Sequence, residues 1–303
     1  MAKAACTTPE TGGRVFRATL RPFEYLRAAS IPDALELLAK HRGRAAILAG
    51  GTDVLVRMKM GRAAPDVVID IKRIAALRGV RIAGAKSVAI GPLTTLAQIA
   101  DSALLRRKLP MLPDTALLMA SPQVRNRGTV GGNLANAAPS ADMAPPLIAL
   151  GASARVHSRR GAETIPLERF FLGPGRTALG NDKLLGTITV PLPARGTRCV
   201  YRVHTVREAM DISIVSAAVL VEKRGKAIRK ARVVLGAVAP VPLRVPDAEA
   251  RLEGTDGNAL AIAAAAEAAA EAARPISDVR GSAGYRREMV RVLVRRALEE
   301  VLA

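Results

Sequence analysis

Short apolar runs, separated by turn residues, recur through the first two thirds of the chain. Runs of about four to eight residues bounded by Gly, Pro or polar clusters are typical of buried strands. The pattern predicts strands at residues 23–29, 45–49, 67–71, 80–83, 87–90, 153–157 and within 180–192. Gly84 separates the fourth run from the fifth, so we expect these two strands to form a hairpin.

Helical spacing of apolar residues appears between these strands. Ser30 is a candidate cap, and Pro32 suits the first turn of a helix that Gly43 ends. Further helices are predicted at residues 95–100, 114–120 and 145–150, with a short helix or turn at 54–60. Residues 1–17 are expected to be disordered.

A change of composition around Pro191, Pro193 and Gly196 predicts a domain boundary. Beyond it the pattern predicts strands at residues 199–204, 215–223 and 231–237, then an Ala-rich helix at 259–273 that ends before Pro275. Residues 285–302 predict an amphipathic last helix. Its apolar face would comprise Met289, Val290, Leu293, Val294, Leu298 and Val301.

The chain has 303 residues, 50% of them hydrophobic, and a formal net charge of +20. Its three Tyr, four Phe and no Trp predict an aliphatic core and offer few stacking platforms for single-stranded nucleic acid. The positive charge is therefore interpreted as lying partly on solvated faces and partly at an interface with an acidic surface of a protein partner. Residues 106–108 and the last helix, with Arg287, Arg291 and Arg295, are the candidate contributors.

Cysteine and histidine usage excludes a metal site of the common kinds. The two cysteines, Cys6 and Cys199, cannot hold an iron–sulfur cluster by themselves, and His41, His157 and His204 lack the spacing of a zinc site. Few cysteines fit a reducing cytosol. The first 14 residues lack the apolar stretch of a secretion signal, and no run of about 18 apolar residues predicts a membrane span. The expected location is the cytoplasm.

Two glycine pairs carry the best functional signal. The first Gly loop is Ala49-Gly50-Gly51-Thr52-Asp53, and the second Gly loop is Thr129-Val130-Gly131-Gly132-Asn133. A glycine pair removes two Cβ atoms and permits positive φ, so that backbone amides can close on a phosphate. Two such loops suggest a clamp on a diphosphate, although each alone could be an ordinary turn. Neither is a GxGxxG or GK[ST] motif, which disfavours Rossmann and P-loop sites.

The second Gly loop lies in a long polar segment, residues 121–142, that has no periodicity. Such a segment inside a compact domain is usually functional or disordered. At its end, Asp142 could accept hydrogen bonds from a ribose or another polyol. Its alternative role is a helix cap before Pro145.

The two loops, in this order and at this separation, resemble the flavin subunits of molybdenum hydroxylases. This is the family of the medium subunit of carbon monoxide dehydrogenase and the flavin segment of xanthine dehydrogenase. Three further stretches match: residues 170–179 (FFLGPGRTAL), residues 207–215 (REAMDISIV) and residues 285–287 (YRR). The resemblance covers roughly residues 18–302.

The resemblance implies an α+β fold: a two-part FAD-binding domain of the vanillyl-alcohol-oxidase type, followed by a smaller α+β domain. The expected FAD-binding domain spans residues 18–194, with subdomains at about 18–73 and 74–194, and the C-terminal domain spans 195–303. The second Gly loop and residues 47–54 would then contact the diphosphate, Met119 the adenine side, Asp142 the ribitol or ribose hydroxyls, and Leu185 the flavin ring. The implied FAD-binding residues are Ile47, Leu48, Ala49, Gly50, Gly51, Thr52, Asp53, Val54, Met119, Thr129, Val130, Gly131, Gly132, Asn133, Asp142 and Leu185.

The family also implies the role of the chain. Electrons would pass from [2Fe-2S] clusters of a small subunit through FAD to an external acceptor, after substrate oxidation at the molybdopterin of a large subunit. A dimer of heterotrimers is the expected assembly, and no residue of this chain is expected to act as an acid or base. Xanthine dehydrogenases often carry a flavin-contacting Lys where this chain has Val203, beside Arg202, so the acceptor stays open. So does the substrate of the complex.

Two alternatives stand beside this interpretation. One is a self-contained flavin oxidoreductase of the same fold, which would need its own substrate pocket and base. The other is a basic polyanion-binding protein, which only the net charge of +20 suggests.

Overall fold

The computed structural model describes residues 20–303, and the segment predicted to be disordered, 1–17, lies outside this range. Three main sheets follow one another along the described chain, each with helices of its own, and a small two-stranded sheet is inserted in the second part. The fold is therefore α+β, as the resemblance implies.

The first sheet has three parallel strands in the order β1-β3-β2. Its elements are β1 (Glu24–Arg27), α1 (Ile31–Lys40), β2 (Ala45–Leu48), α2 (Val54–Lys59) and β3 (Val67–Asp70). Helix α1 begins as predicted, because the Ser30 Oγ accepts a hydrogen bond from the Asp33 amide at 3.2 Å. Its buried residues Ala34, Leu35 and Leu38 pack on β3.

The second sheet has five antiparallel strands in the order β4-β5-β10-β6-β7. This part of the chain comprises β4 (Val80–Ile82), β5 (Ser87–Ile90), α3 (Leu96–Asp101), α4 (Ala103–Lys108), α5 (Met111–Leu118), α6 (Pro122–Arg125), α7 (Val130–Asn136), α8 (Ala144–Ala149), β6 (Ser153–Ser158), β7 (Gly161–Pro166), β8 (Phe171–Gly173), β9 (Arg176–Thr177) and β10 (Leu184–Pro191). Strands β8 and β9 pair only with each other, in a separate two-stranded sheet. The hairpin at Gly84 is confirmed.

The polar segment 121–142 differs from its prediction. It contains two short helices, α6 and α7, each capped by a hydroxyl: Ser121 for α6 and Thr129 for α7. Both helices are too short and too rich in Gly and Asn to show helical periodicity, so the sequence pattern predicts a loop here. The pattern also missed α4 and β7.

The third sheet is an antiparallel meander, β11-β12-β13-β14. Its elements are β11 (Thr197–His204), β12 (Val215–Arg224), β13 (Ala227–Gly236), β14 (Leu243–Arg244), α9 (Pro246–Ala250), α10 (Ala259–Ala272) and α11 (Ala283–Leu302). The predicted helices at 259–273 and 285–302 are confirmed to within two residues.

Strand β12 is buried on both faces. Val219 and Val221 belong to the core formed with α10 and α11, whereas Ala218 and Leu220 belong to the core of the second sheet. Side chains alternate between the two faces of a strand, so one strand serves both cores. The third sheet therefore packs directly on the core of the second sheet and is not joined to it by the chain alone.

Arg286 ties α11 to the third sheet. Its guanidinium, only 4% exposed, donates from Nη1 to the Ile214 carbonyl at 3.0 Å and to the Ala237 carbonyl at 3.4 Å. Its Nη2 donates to Asp278 Oδ1 at 2.7 Å. Loss of this guanidinium would leave the two carbonyls and Asp278 without the donor that they share, which is costly.

We therefore expect Arg286→Met to destabilise the chain by about 2 kcal/mol, because the Ile214 and Ala237 carbonyls lose their buried donor, while Asp278, with 26% of its side chain exposed, keeps Arg280 as a partner. The matched control is Arg287→Met, because Arg287 is the exposed neighbour on the same helix. Its effect should stay within about 0.5 kcal/mol. Thermal unfolding followed by circular dichroism measures both, and equal shifts for the two variants would contradict this role of Arg286.

Candidate functional site

The first Gly loop forms the corner between β2 and α2. Gly51 adopts φ +82°, a left-handed conformation that favours glycine. A Cβ at Gly51 would also lie 3.2 Å from the side chains of Leu48 and Leu55. The chain therefore turns sharply here, as the glycine pair predicted.

The backbone amides of residues 50–54 are free. Among the described residues, none accepts a hydrogen bond from any of these five amides; the next amide, that of Leu55, donates to the Gly51 carbonyl at 3.2 Å. Consecutive free amides at the start of a helix form a concave surface that attracts anions. This corner can therefore receive a phosphate group.

The second Gly loop is built differently. Its amides already have acceptors inside the protein: Val130 donates to the Thr94 carbonyl, Gly131 to the Pro92 carbonyl at 2.9 Å, and Gly132 to Thr129 Oγ1 at 3.0 Å. Positive φ, expected at both glycine pairs, occurs only at Gly51, because Gly131 and Gly132 lie inside helix α7. Glycine is needed at 131 for packing, since a Cβ there would lie 2.3 Å from Pro92 Cβ.

The fold brings the first Gly loop against residues 127 and 128, the turn that leads directly into the second Gly loop. A Cβ on Gly50 would lie 2.1 Å from the Arg127 carbonyl oxygen, so the two backbones touch where Gly50 has no side chain. Nearby, Asn136 Nδ2 donates to Asp53 Oδ1 at 3.1 Å. The free amides of the first loop therefore face a junction that both loops shape.

Two side chains of the Gly loops have unusual surroundings. Burial raises the pKa of Asp53, and the charge of Arg57 offsets part of that effect. Asn133 Oδ1 is buried and has no hydrogen-bond partner among the described residues. Because buried polar atoms are nearly always paired, an orphaned acceptor here fits a site that a ligand donor completes.

Asp142 lies at a second place, where the segment before α8 meets the third sheet. Its Oδ1 accepts hydrogen bonds from Tyr201 Oη at 2.6 Å and Ser213 Oγ at 2.5 Å. It lines a cavity of about 40 Å³ together with Leu118 and Val203. The helix-cap alternative is wrong, because α8 begins at Ala144 with Met143 at its cap and no side-chain cap bond.

Met119 and Leu185 are core residues in this structure. Met119 is 8% exposed and Leu185 4%, and both pack in the core of the second sheet. The Met119 carbonyl accepts from Arg125 Nη1 at 2.8 Å, and Leu185 lies at a β-bulge in β10. Neither side chain lines the cavity at Asp142, whereas Leu118, which is 55% exposed, does.

The sequence did not single out Tyr201, Arg127 or Asn136. Tyr201 lies on the face of β11 that packs into the core of the second sheet, so only the packing of β11 against that core reveals Asp142 as its partner. Ser213 was noticed only as part of the stretch 207–215. Each of these residues reaches the site through a contact between segments far apart in the chain.

The residues at and beside the flavin-contacting Lys of xanthine dehydrogenases have ordinary roles. Val203 packs against the second core and lines the cavity. Arg202 points its Nε to Glu300 Oε2 at 2.8 Å on α11. Burial raises the pKa of the nearby Cys199 to about 11, so this thiol stays protonated at neutral pH.

Residues 20–303 contain neither a metal-ligand cluster nor a membrane-spanning helix. No group of three or more His, Cys, Asp or Glu side chains in this range is arranged to hold a metal ion. Within the same range, no helix is long and apolar enough to cross a membrane.

Comparison with known proteins decides the family. Residues 21–193 match the family model of the FAD binding domain in molybdopterin dehydrogenase, and residues 200–301 match that of the CO dehydrogenase flavoprotein C-terminal domain. The chain belongs to the flavoprotein subunits of the molybdenum hydroxylases. It is an oxidoreductase subunit whose cofactor is FAD.

Individual relatives agree over nearly the whole chain. The carbon monoxide dehydrogenase medium chain of Hydrogenophaga pseudoflava is 37% identical over 281 residues, 93% of this chain and 97% of that one. The xanthine dehydrogenase FAD-binding subunit of Escherichia coli O157:H7 is 33% identical over 92% of this chain and 96% of its own.

Solved structures give the same result. The carbon monoxide dehydrogenase structure from Hydrogenophaga pseudoflava that lacks the Mo-pyranopterin moiety superposes with a TM-score of 0.91, at 37% identity over 93% of this chain and 97% of that chain. Relatives of this flavoprotein subunit are components of multi-subunit complexes, and this chain shares their subunit architecture.

The contact at Gly50 gives a direct test of the junction. In Gly50→Ala the new Cβ would meet the Arg127 carbonyl at 2.1 Å, so the two Gly loops must separate. We expect the variant to purify with less than about a tenth of the wild-type flavin, because a cradle displaced by about 1 Å loses most of its binding geometry. Absorbance of the purified flavoprotein subunit measures this.

The matched control is Gly284→Ala. A Cβ at Gly284 meets only the Ser282 Oγ, at 3.9 Å, and the residue lies in α11, where alanine is the better helix former. Its flavin content should equal that of the wild type. Full flavin occupancy in Gly50→Ala would show that the contact between the loops does not shape the site.

Proposed function

We propose that this flavoprotein subunit holds FAD at the junction of the two Gly loops. The observation that carries the proposal is the run of five free backbone amides at residues 50–54, which lies at Gly50 against the turn before the second Gly loop. Such a surface suits a diphosphate, which needs several donors and no bulky side chains. The second loop contributes shape rather than amides.

The remaining family positions extend this assignment along the cofactor. Thr52 and Asn133 would contribute side-chain groups to the cradle, and Asp142 would accept from a hydroxyl group of FAD. Met119 would lie on the adenine side and Leu185 near the flavin ring, each as a wall of the second core. Ile47, Leu48, Ala49 and Val54 would complete the walls around the first loop.

When bound, FAD supplies electron transfer from the iron–sulfur clusters of a partner subunit to an external acceptor. The chain's own task is to bind and orient FAD and to set the charge around it. We propose a cytoplasmic dimer of heterotrimers, with a small iron–sulfur subunit and a large molybdopterin subunit. The proposed division of labour places FAD on residues 18–194 and a C-terminal domain on 195–303.

Exposed cations on α4 are the best candidates for the interface with an acidic partner. Arg106, Arg107 and Lys108 are exposed, and no carboxylate in residues 20–303 forms a salt bridge with them. Arg291, proposed for the same role from the sequence, bonds to Glu267 and Glu288 on its own chain. Its charge is therefore largely neutralised within the subunit.

Removal of the Asp142 carboxylate tests its place at the FAD hydroxyls. Charge-assisted hydrogen bonds of this kind contribute about 1.5–3 kcal/mol, so Asp142→Ala should weaken FAD binding by tenfold or more. Asp66→Ala is the control, since that carboxylate is exposed and only faces Arg44 at 3.7 Å. Calorimetric titration with FAD measures both, and equal affinities would remove Asp142 from the site.

The subunit role is tested on the native complex. Purified through a tag on this chain, the complex should contain FAD, iron and molybdenum, with two further chains of unequal size. Metal analysis and the visible spectrum report the three cofactors. A chain that purifies alone with FAD and oxidises a substrate without iron or molybdenum would favour the self-contained flavin oxidoreductase.

A further inference from the structure

Asp142 receives both of its side-chain hydrogen bonds from the C-terminal part of the chain. Tyr201 belongs to β11, Ser213 precedes β12, and both hydroxyls donate to the same carboxylate oxygen, Oδ1. Neither bond uses Oδ2. Two donors on one oxygen fix the plane of a carboxylate and leave the other oxygen available for a ligand.

The two donors are themselves held in place. Tyr201 and Ser213 are each 5% exposed, and the Tyr201 ring packs in the core of the second sheet. Burial raises the pKa of Tyr201 well above its usual value, and the neighbouring Asp142 charge adds to that effect, so the hydroxyl stays protonated as a donor. The donors are therefore more rigid than a surface pair would be.

The same two bonds act on the charge of Asp142. Burial raises the pKa of this carboxyl, and the hydroxyl bonds from Ser213 and Tyr201 counteract the increase by stabilising the ionised form. Removing one donor removes part of that counteraction. The carboxyl would then take up a proton at a higher pH and would be a poorer acceptor.

We propose that Tyr201 and Ser213 are positioning residues for FAD: they orient the Asp142 carboxylate and hold it ionised, so that Oδ2 accepts a hydrogen bond from an FAD hydroxyl. The proposal rests on the proposed function of Asp142. It gives the C-terminal part of the chain a role in cofactor affinity, although that part contributes nothing to the cradle at residues 50–54. FAD affinity thereby depends on how β11 and the segment before β12 pack against the helices of the second sheet.

Other charged groups near Asp142 affect its pKa equally in all the variants compared below. The cavity is also lined by Arg207, Glu208 and Asp211. Backbone hydrogen bonds from Arg207 and Ile212 hold the pKa of Asp211 below its usual value, so this group stays ionised over the range tested. All three residues are unchanged in the variants below.

The test compares FAD binding by the deflavinated full chain in four variants: Tyr201→Phe, Ser213→Ala, Asp142→Asn and the double variant Asp142→Asn/Tyr201→Phe. Titrations run from about pH 4, near the ordinary pKa of an aspartate, up to about pH 8, because burial moves the pKa of Asp142 upward from that ordinary value. Because the ionised carboxylate is the better acceptor, wild-type affinity should fall as the pH falls through the pKa of Asp142.

We expect Tyr201→Phe and Ser213→Ala each to weaken FAD binding about fivefold at pH 7, a typical effect of losing a bond to a charged group, and to move the pH-dependent fall to higher pH. Asp142→Asn should abolish the pH-dependent fall. In its background, Tyr201→Phe should cause little further loss, because coupled residues are not additive. Tyr285→Phe is the control: its hydroxyl contacts His204 Nε2 at 2.9 Å, away from Asp142.

The outcomes separate the two proposals. Wild-type affinity and pH profile in Tyr201→Phe and Ser213→Ala, with weak binding in Asp142→Asn, would overturn the positioning role and leave Asp142 as a ligand. Normal binding in Asp142→Asn would overturn the proposed function of Asp142 itself. If Tyr201→Phe weakens binding equally with and without Asp142, its effect is structural and the positioning role is wrong. Ser213→Ala, a smaller change, decides the matter if Tyr201→Phe does not fold.

Discussion

The close approach of two backbones at Gly50 is the constraint on which the site depends. A single methyl group there would overlap the Arg127 carbonyl, so the first Gly loop and the turn before the second can meet only where no side chain intervenes. This contact puts the free amides of residues 50–54 against the start of α7. Because protein interiors are close-packed, an added methyl group at this contact would have to displace one of the two backbones.

The two Gly loops look alike in the sequence and behave differently in the fold. The first loop turns with a left-handed glycine and leaves its amides without acceptors. The second loop uses Gly131 for close packing against Pro92, and the amides of residues 130–133 donate within the protein. One loop therefore suits an anionic ligand, while the other fixes the geometry that makes this possible.

The third sheet is joined to the second sheet by packing and by hydrogen bonds. Strand β12 contributes side chains to two cores, and Tyr201 and Ser213 reach across to Asp142. A two-sided strand of this kind resists separation of the two parts, because apolar surface would be exposed on parting. A carboxylate held between them is consequently sensitive to both.

The sequence by itself determined most elements and the family. Ser30, Gly84 and the apolar faces of α1 and α11 follow local rules of capping, turns and periodicity, so their elements could be predicted from neighbouring residues alone. The glycine pairs and three matching stretches were enough for the family resemblance, because such motifs keep their spacing along the chain.

Only the tertiary structure decided how these parts act together. Helix α7 escaped prediction because its stability comes from the Thr129 cap and its packing on Pro92, not from its own periodicity. The contact of Gly50 with Arg127 and the bonds from Tyr201 and Ser213 to Asp142 join residues far apart in the chain. Hydrogen bonds and steric overlap act over a few ångströms of space, whatever the separation in sequence, so no local pattern could reveal them.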